Sequence, residues 1–126
     1  MATILLVDDD PLQAFVRKSF LEKRFSDVHR VPGAAEALCL IEQPAFADNL
    51  GLVISGHHLP GLSGPDFVAE LHARMPFLPI LVLDSGQDQP ADYGYGQVSF
   101  FAQPIDTEEI VRQAEQLLGR HKATAA

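Results

Sequence analysis

The sequence predicts an α/β fold, a parallel sheet with helices on both faces. Three observations lead there. Five short apolar runs recur along the chain: Ile4–Val7, Val28–Val31, Leu52–Ser55, Ile80–Leu83 and Val98–Ala102. The first, third and fourth are nearly continuous, the pattern of strands covered on both faces. Most of the intervals carry apolar residues at helical spacing, so strands alternate with helices and pair in parallel. In such sheets the loops at the carboxyl ends of the strands form the functional edge. Asp8, Asp9, Gly56, Asp84 and Gln103 all fall there.

Each element has a local reason. Ile4–Val7 runs into Asp8-Asp9-Asp10, and Pro11 suits a first helical turn with Asp10 as N-cap. Leu12, Phe15, Val16 and Phe20 recur at helical spacing and are expected to form the buried stripe of that helix. Val28–Val31 has His29 and Arg30 between its apolar ends, which suits a sheet edge. After the Pro32-Gly33 break, a helix from about Ala34 to Gln43 buries Ala34, Ala37, Leu38 and Ile41. Cys39 falls inside this pattern and reads as buried packing. Pro44–Asn49 reads as a loop. Beyond Gly64, Phe67, Val68, Leu71 and Met75 mark a helix that Pro76 ends, and Pro79 opens the fourth strand. Asp84–Gln97 holds Gly86, Pro90, Gly94 and Gly96, leaving room for a turn or two of helix at most. Asp106 opens the last helix, with Glu109 completing a capping-box variant. Ile110, Val111, Ala114, Leu117 and Leu118 form its buried stripe, Gly119 stops it, and the tail to Ala126 frays.

Bulk properties bound the function. With 126 residues the chain fits one domain. A net charge of −8 and the lack of any Lys/Arg cluster beyond a dipeptide argue against a nucleic-acid partner. No apolar run is long enough to cross a bilayer. The N-terminus lacks the basic region of a signal peptide, so a cytoplasmic protein is expected, with no membrane partner. One cysteine excludes an internal disulfide.

Three motifs stand out: Leu5-Leu6-Val7-Asp8-Asp9-Asp10-Pro11, Leu59-Pro60-Gly61-Leu62-Ser63-Gly64 and the closing Pro104-Ile105-Asp106. Together they make the chain, from about Thr3 to Leu118, resemble the receiver domains of bacterial response regulators. The resemblance implies a flavodoxin-like, doubly wound sheet of five strands in the order 2-1-3-4-5. The helix between the fourth and fifth strands would be shortened. It also implies phosphoryl transfer from a histidine kinase to an aspartate at the end of the third strand. An acidic pair would hold Mg²⁺, a Thr or Ser would hydrogen-bond the phosphoryl group, and a lysine would pair with it.

Here Asp8 and Asp9 match the acidic pair, although an N-cap cluster with solvated charge is the plainer reading. The backbone carbonyl of His58 takes the remaining metal position. Counting back from Pro60, Gly56 occupies the phosphoacceptor position and offers no side chain. Asp84 stands at the Thr/Ser position and Gln103 at the lysine position. Ser55 points to the other side of the sheet by strand alternation, and Asp84 lacks a lysine beside it. Asp8, Asp9 and Asp84 would repel by about 1–4 kcal/mol per pair near a protein surface. A divalent cation, a proton, or His57 turned inward would offset this. Weak Mg²⁺ or Mn²⁺ binding by Asp8, Asp9, Asp84 and the His58 carbonyl is therefore expected, with no cofactor required. His57-His58 otherwise reads as polar surface, since adjacent residues on an extended segment point opposite ways. Phe100 aligns with the family's rotating aromatic switch, and Phe100 and Phe101 also read as filling the two faces of the last strand. Tyr93, Tyr95 and Phe101 are candidate contacts on a remodelled docking face.

The expected function is that of an atypical receiver, or pseudo-receiver. It would bind a histidine kinase, another regulator or an output protein, or form a homodimer, without aspartyl phosphorylation and without enzymatic activity. The alternative is a metal- or small-ligand-sensing domain using the acidic pocket. A phosphorelay receiver with an unusual acceptor ranks below both. Flavodoxin-type cofactor binding is disfavoured, because no Ser/Thr/Gly-rich loop follows the first strand. The chain reads as a stand-alone adaptor or as a piece of a longer protein.

Overall fold

The computed structural model describes residues 2–56, 61–83, 100–102 and 107–125. Five strands form one parallel sheet: β1 (Thr3–Val7), β2 (Val28–Val31), β3 (Leu50–Gly56), β4 (Ile80–Leu83) and β5 (Phe100–Ala102). Their order is β2-β1-β3-β4-β5, the expected flavodoxin-like arrangement. Among the described residues there are five helices, in chain order α1 (Pro11–Leu21), α2 (Ala34–Ile41), α3 (Pro44–Asn49), α4 (Gly64–Arg74) and α5 (Thr107–Ala125).

Strand alternation divides the core into two layers. Ile4, Leu6, Leu52, Ile54, Leu81 and Leu83 face α1 and α5, where they meet Ala14, Leu21, Ile110, Ala114 and Leu117. Leu5, Val7, Val53, Ile80 and Val82 face α2 and α4, where they meet Ala34, Ala37, Ile41, Phe67, Val68 and Leu71. A strand buried on both sides must be apolar at every position, which is why the central runs show no alternation. Val28 and Val31 are buried while His29 is exposed, as the edge position of β2 requires. The whole α5 stripe from Ile110 to Leu118 is buried as expected.

The structure departs from the sequence reading in four places. Of the stripe expected on α1, three residues face outward, Leu12 at 74% exposed, Phe15 at 70% and Val16 at 41%, while Phe20 packs against the core. The buried face of α1 is Ala14, Arg17 and Leu21. The reason is geometric, since small Ala14 brings the helix close to the sheet and Arg17 finds a buried partner. Pro44–Asn49 is a short helix, not a loop, with Pro44 in its first turn. Cys39 is exposed, because it lies two residues beyond Ala37, off the buried stripe of α2. The last helix runs through Gly119 to Ala125. One glycine costs only about 1 kcal/mol inside a helix, too little to stop one by itself. The Asp84–Gln97 segment, with its expected short helix, lies outside the described residues.

Candidate functional site

The carboxyl edge of the sheet is built around the end of β1. Asp8 is the residue after Val7 and continues the Ile4–Leu6 side of the strand, so its side chain faces α1. It is only 5% exposed. Burying a carboxylate is unfavourable without a partner, and the partner is Arg17 of α1. Arg17 Nη1 donates to Asp8 Oδ2 at 2.9 Å, with both side chains less than a tenth exposed (7% and 6%). The other carboxylate oxygen, Oδ1, accepts the backbone N–H of Asp10 at 3.0 Å. Arg30 of β2 donates to the Asp8 backbone carbonyl from Nε at 3.0 Å and from Nη2 at 2.7 Å. The Asp8 amide in turn donates to the Val31 carbonyl at 3.1 Å.

Two arginines therefore hold one aspartate, Arg17 by its carboxylate and Arg30 by its carbonyl. Burial pulls Arg17 below the ordinary arginine value, and the neighbouring Asp8 carboxylate opposes that pull. Asp9 is exposed. Asp10 caps α1, its Oδ1 accepting from the amides of Leu12 at 3.0 Å and Gln13 at 3.2 Å.

Gly56 ends β3 beside this corner. Val7 pairs with Ser55, so one step further the register sets Asp8 next to Gly56. On its other side Gly56 pairs with Leu83 of β4. Its carbonyl accepts from the Ser55 hydroxyl at 2.9 Å. Ser55 is 1% exposed and continues the Val53 face of β3, away from Asp8. Gly61 is in the left-handed conformation, at φ +84°. Ser63 then caps α4 by accepting the Asp66 amide at 3.2 Å.

The structure thus brings Asp8 and Gly56 to one edge, with Asp9 beside them in the chain. Asp84, Gln103, His57, His58, Tyr93 and Tyr95 lie outside the described residues. Phe100 and Phe101 lie on β5, paired with Leu81 and Val82. Among the described residues no three His, Cys, Asp or Glu side chains stand close enough to hold a metal ion. Asp8 as held here is a poor ligand for a divalent ion, because the Arg17 guanidinium already supplies the counter-charge of its carboxylate at 2.9 Å. Arg17 and Arg30 are the residues that sequence reasoning missed. The signal for Arg17 was its place with Ala14 and Leu21 at helical spacing; for Arg30, its place opposite Leu6 in the β1–β2 pairing. A groove of about 750 Å³ between α1 and α5 lies at the far end of α1 from Asp10. Lys23, Arg24 and Arg112 balance Glu108, Glu109 and Glu115 along it.

The family model described as "Response regulator receiver domain" matches residues 4–115. The two-component response regulator PhoP of Pseudomonas aeruginosa is 29% identical over 120 residues, covering 93% of this chain and 52% of PhoP. The chain therefore spans about half the length of that relative. Protein PilH of the same organism is 24% identical, covering 94% of this chain and 98% of PilH. Among solved structures, the signal receiver domain of an HD domain-containing protein from Pseudomonas fluorescens Pf-5 superposes with a TM-score of 0.85. It is 25% identical and covers 97% of this chain and 98% of its own.

Proposed function

The chain belongs to the response regulator receiver domain family, and from that premise we propose that it is a pseudo-receiver, signalling by protein contact without aspartyl phosphorylation. The observation that carries this reading is Gly56. It ends β3 beside Asp8, where the family places its phosphoacceptor, and it has no nucleophile to offer. The arginine-held carboxylate of Asp8 supports the same reading, because a phosphoryl-transfer site needs that carboxylate for its metal.

A domain that takes no phosphoryl group must transmit by its surface. Leu12, Phe15 and Val16 are exposed side by side on α1 at spacings of three and four residues. Contiguous exposed apolar side chains of this kind mark protein contacts. The occupant we assign is a protein partner of two-component signalling, a histidine kinase, another regulator or an output protein, in the cytoplasm. The domain itself catalyses nothing in this reading. No helix among the described residues is long and apolar enough to cross a membrane.

The test is intact-mass measurement after incubation with acetyl phosphate and Mg²⁺, and with a phosphorylated histidine kinase. The mass is expected to stay unchanged. A base-labile phosphoryl adduct, on Asp84 or elsewhere, overturns the reading.

A further inference from the structure

We propose that Arg17 is a built-in counter-cation for the acidic corner, standing in for the divalent ion on which a phosphorylating receiver relies. Its removal would turn the Asp8–Asp9 corner into a metal site. The inference extends the pseudo-receiver reading from the missing nucleophile to the metal. The two rest on different residues.

The geometry points to a replacement and not to a chance surface pair. Arg17 bypasses exposed Asp9 and reaches buried Asp8 at 2.9 Å. It sits on the inward face of α1 between Ala14 and Leu21, two apolar residues that pack on the sheet. A guanidinium there gives up water for a single carboxylate, which is tolerable only when the partner is fixed. Asp8 is fixed from three directions: by Asp10 at Oδ1, by Arg30 at its carbonyl, and by Val31 at its amide. A Mg²⁺ or Mn²⁺ ion needs short oxygen contacts and a near-octahedral shell completed by waters. It would have to enter against Arg17, with Arg30 close behind. Charge balance at this corner is supplied by the chain itself, and free metal adds nothing to it.

Without Arg17 the balance reverses. Asp8 would remain buried with its carboxylate hydrogen-bonded only by the Asp10 amide, and exposed Asp9 follows it in the chain. A cation would then be favoured.

The experiment uses the full chain, stripped with EDTA, in three forms: wild type, Arg17→Leu and Arg17→Lys. Mn²⁺ binding is read from the EPR signal of the free ion, and stability from thermal melts. Wild type and Arg17→Lys are expected to bind no Mn²⁺ up to about 1 mM, the range in which weak oxygen sites fill. Arg17→Leu is expected to melt lower in EDTA and to regain on the order of 5 °C in millimolar Mn²⁺. The double variant Asp8→Asn/Arg17→Leu should lose that response. If Arg17→Leu does not fold in EDTA, it is refolded in Mn²⁺, and Arg17→Gln is measured beside it. The proposal is overturned if wild type binds Mn²⁺ as well as Arg17→Leu does. It is also overturned if neither Arg17→Leu nor Arg17→Gln gains Mn²⁺ binding or folding. Because the readout is metal binding, its failure is distinct from a phosphoryl adduct, which would overturn the pseudo-receiver reading instead.

Discussion

Replacing Gly56 by aspartate supplies the carboxylate that phosphoryl transfer requires, and we expect it to weaken the fold without restoring the chemistry. Gly56 continues the Leu52–Ile54 side of β3, and Asp8 continues the Ile4–Leu6 side of β1, so both positions face α1. Neighbouring strands lie about 4.8 Å apart, which sets the two carboxylates roughly 5–6 Å from each other. At that separation two like charges repel by about 0.8 kcal/mol in water and about 3 kcal/mol at an effective dielectric of 20. Arg17 on Asp8 offsets part of this. A net destabilisation of about 1–2 kcal/mol remains, or roughly 5–10 °C in Tm for a domain of this size.

The control is Gly56→Asn, which has nearly the same shape and no charge. The difference in Tm between Gly56→Asp and Gly56→Asn isolates the repulsion. A carboxyl among carboxylates titrates higher in the folded state than in the unfolded chain. Its penalty is therefore full above the folded value and vanishes as the pH falls below the unfolded value of about 4. Melts at pH 7 and pH 3 measure both ends. Equal stability of the two variants at pH 7, or a difference that widens at pH 3, refutes the electrostatic account. Acetyl phosphate should leave the Gly56→Asp mass unchanged, because the proposed pseudo-receiver reading sets Asp84 and Gln103 where the family uses Thr/Ser and Lys. Stoichiometric phosphorylation of this variant would show those positions to be immaterial.

Three further outcomes follow from the packing. A Cβ on Gly51 would lie 2.7 Å from Ala2 Cβ and 2.9 Å from Leu118 Cδ2, so Gly51→Ala should lose about 1–2 kcal/mol in urea unfolding. Gly61 has open space around it but a φ of +84°, so Gly61→Ala should lose about 1 kcal/mol through backbone strain alone; an unchanged midpoint contradicts this. The Thr3 hydroxyl, donating to Asp27 at 2.5 Å with His29 assisting, holds the Asp27 carboxyl below the usual carboxylate range. That stabilisation is present above about pH 4 and lost as the pH falls through the lower folded value, so Thr3→Val should flatten the acid limb of the stability curve.

Much of the fold could be read directly from residue patterns. Continuous apolar runs such as Leu52–Ile54 mean strands covered on both faces, and the α5 stripe follows from one helical period. The Asp10 cap was legible because a cap is a local device. What failed was non-local. On α1, Leu12, Phe15 and Val16 make a stronger apolar stripe than Ala14, Arg17 and Leu21, yet the second set faces the sheet. An arginine counts as polar until its partner is known, and Asp8 lies on another element. The same blindness hid the partner of Asp8: a proton, a metal ion or His57 was expected to offset the repulsion among Asp8, Asp9 and Asp84, and nothing local pointed to Arg17 on Asp8. Pro44–Asn49 was misread because a six-residue helix with no buried face leaves no periodicity to detect. The place of Gly56 at the end of the third strand, by contrast, was legible by counting back from Pro60.

The double clamp on Asp8 also has a kinetic meaning. The Asp10 amide sits where a strand gives way to a helix, a place where backbone hydrogens normally exchange with solvent quickly. Here that hydrogen is held by Asp8 Oδ1, and it is released only when the carboxylate turns away from Arg17. The Asp8 amide is held by Val31, and Arg30 reaches back from the same edge strand to the Asp8 carbonyl. The end of β1, the start of α1 and the edge strand β2 are thereby tied into one cooperative opening unit. Deuterium uptake at Asp10 then counts the openings of the arginine–aspartate pair.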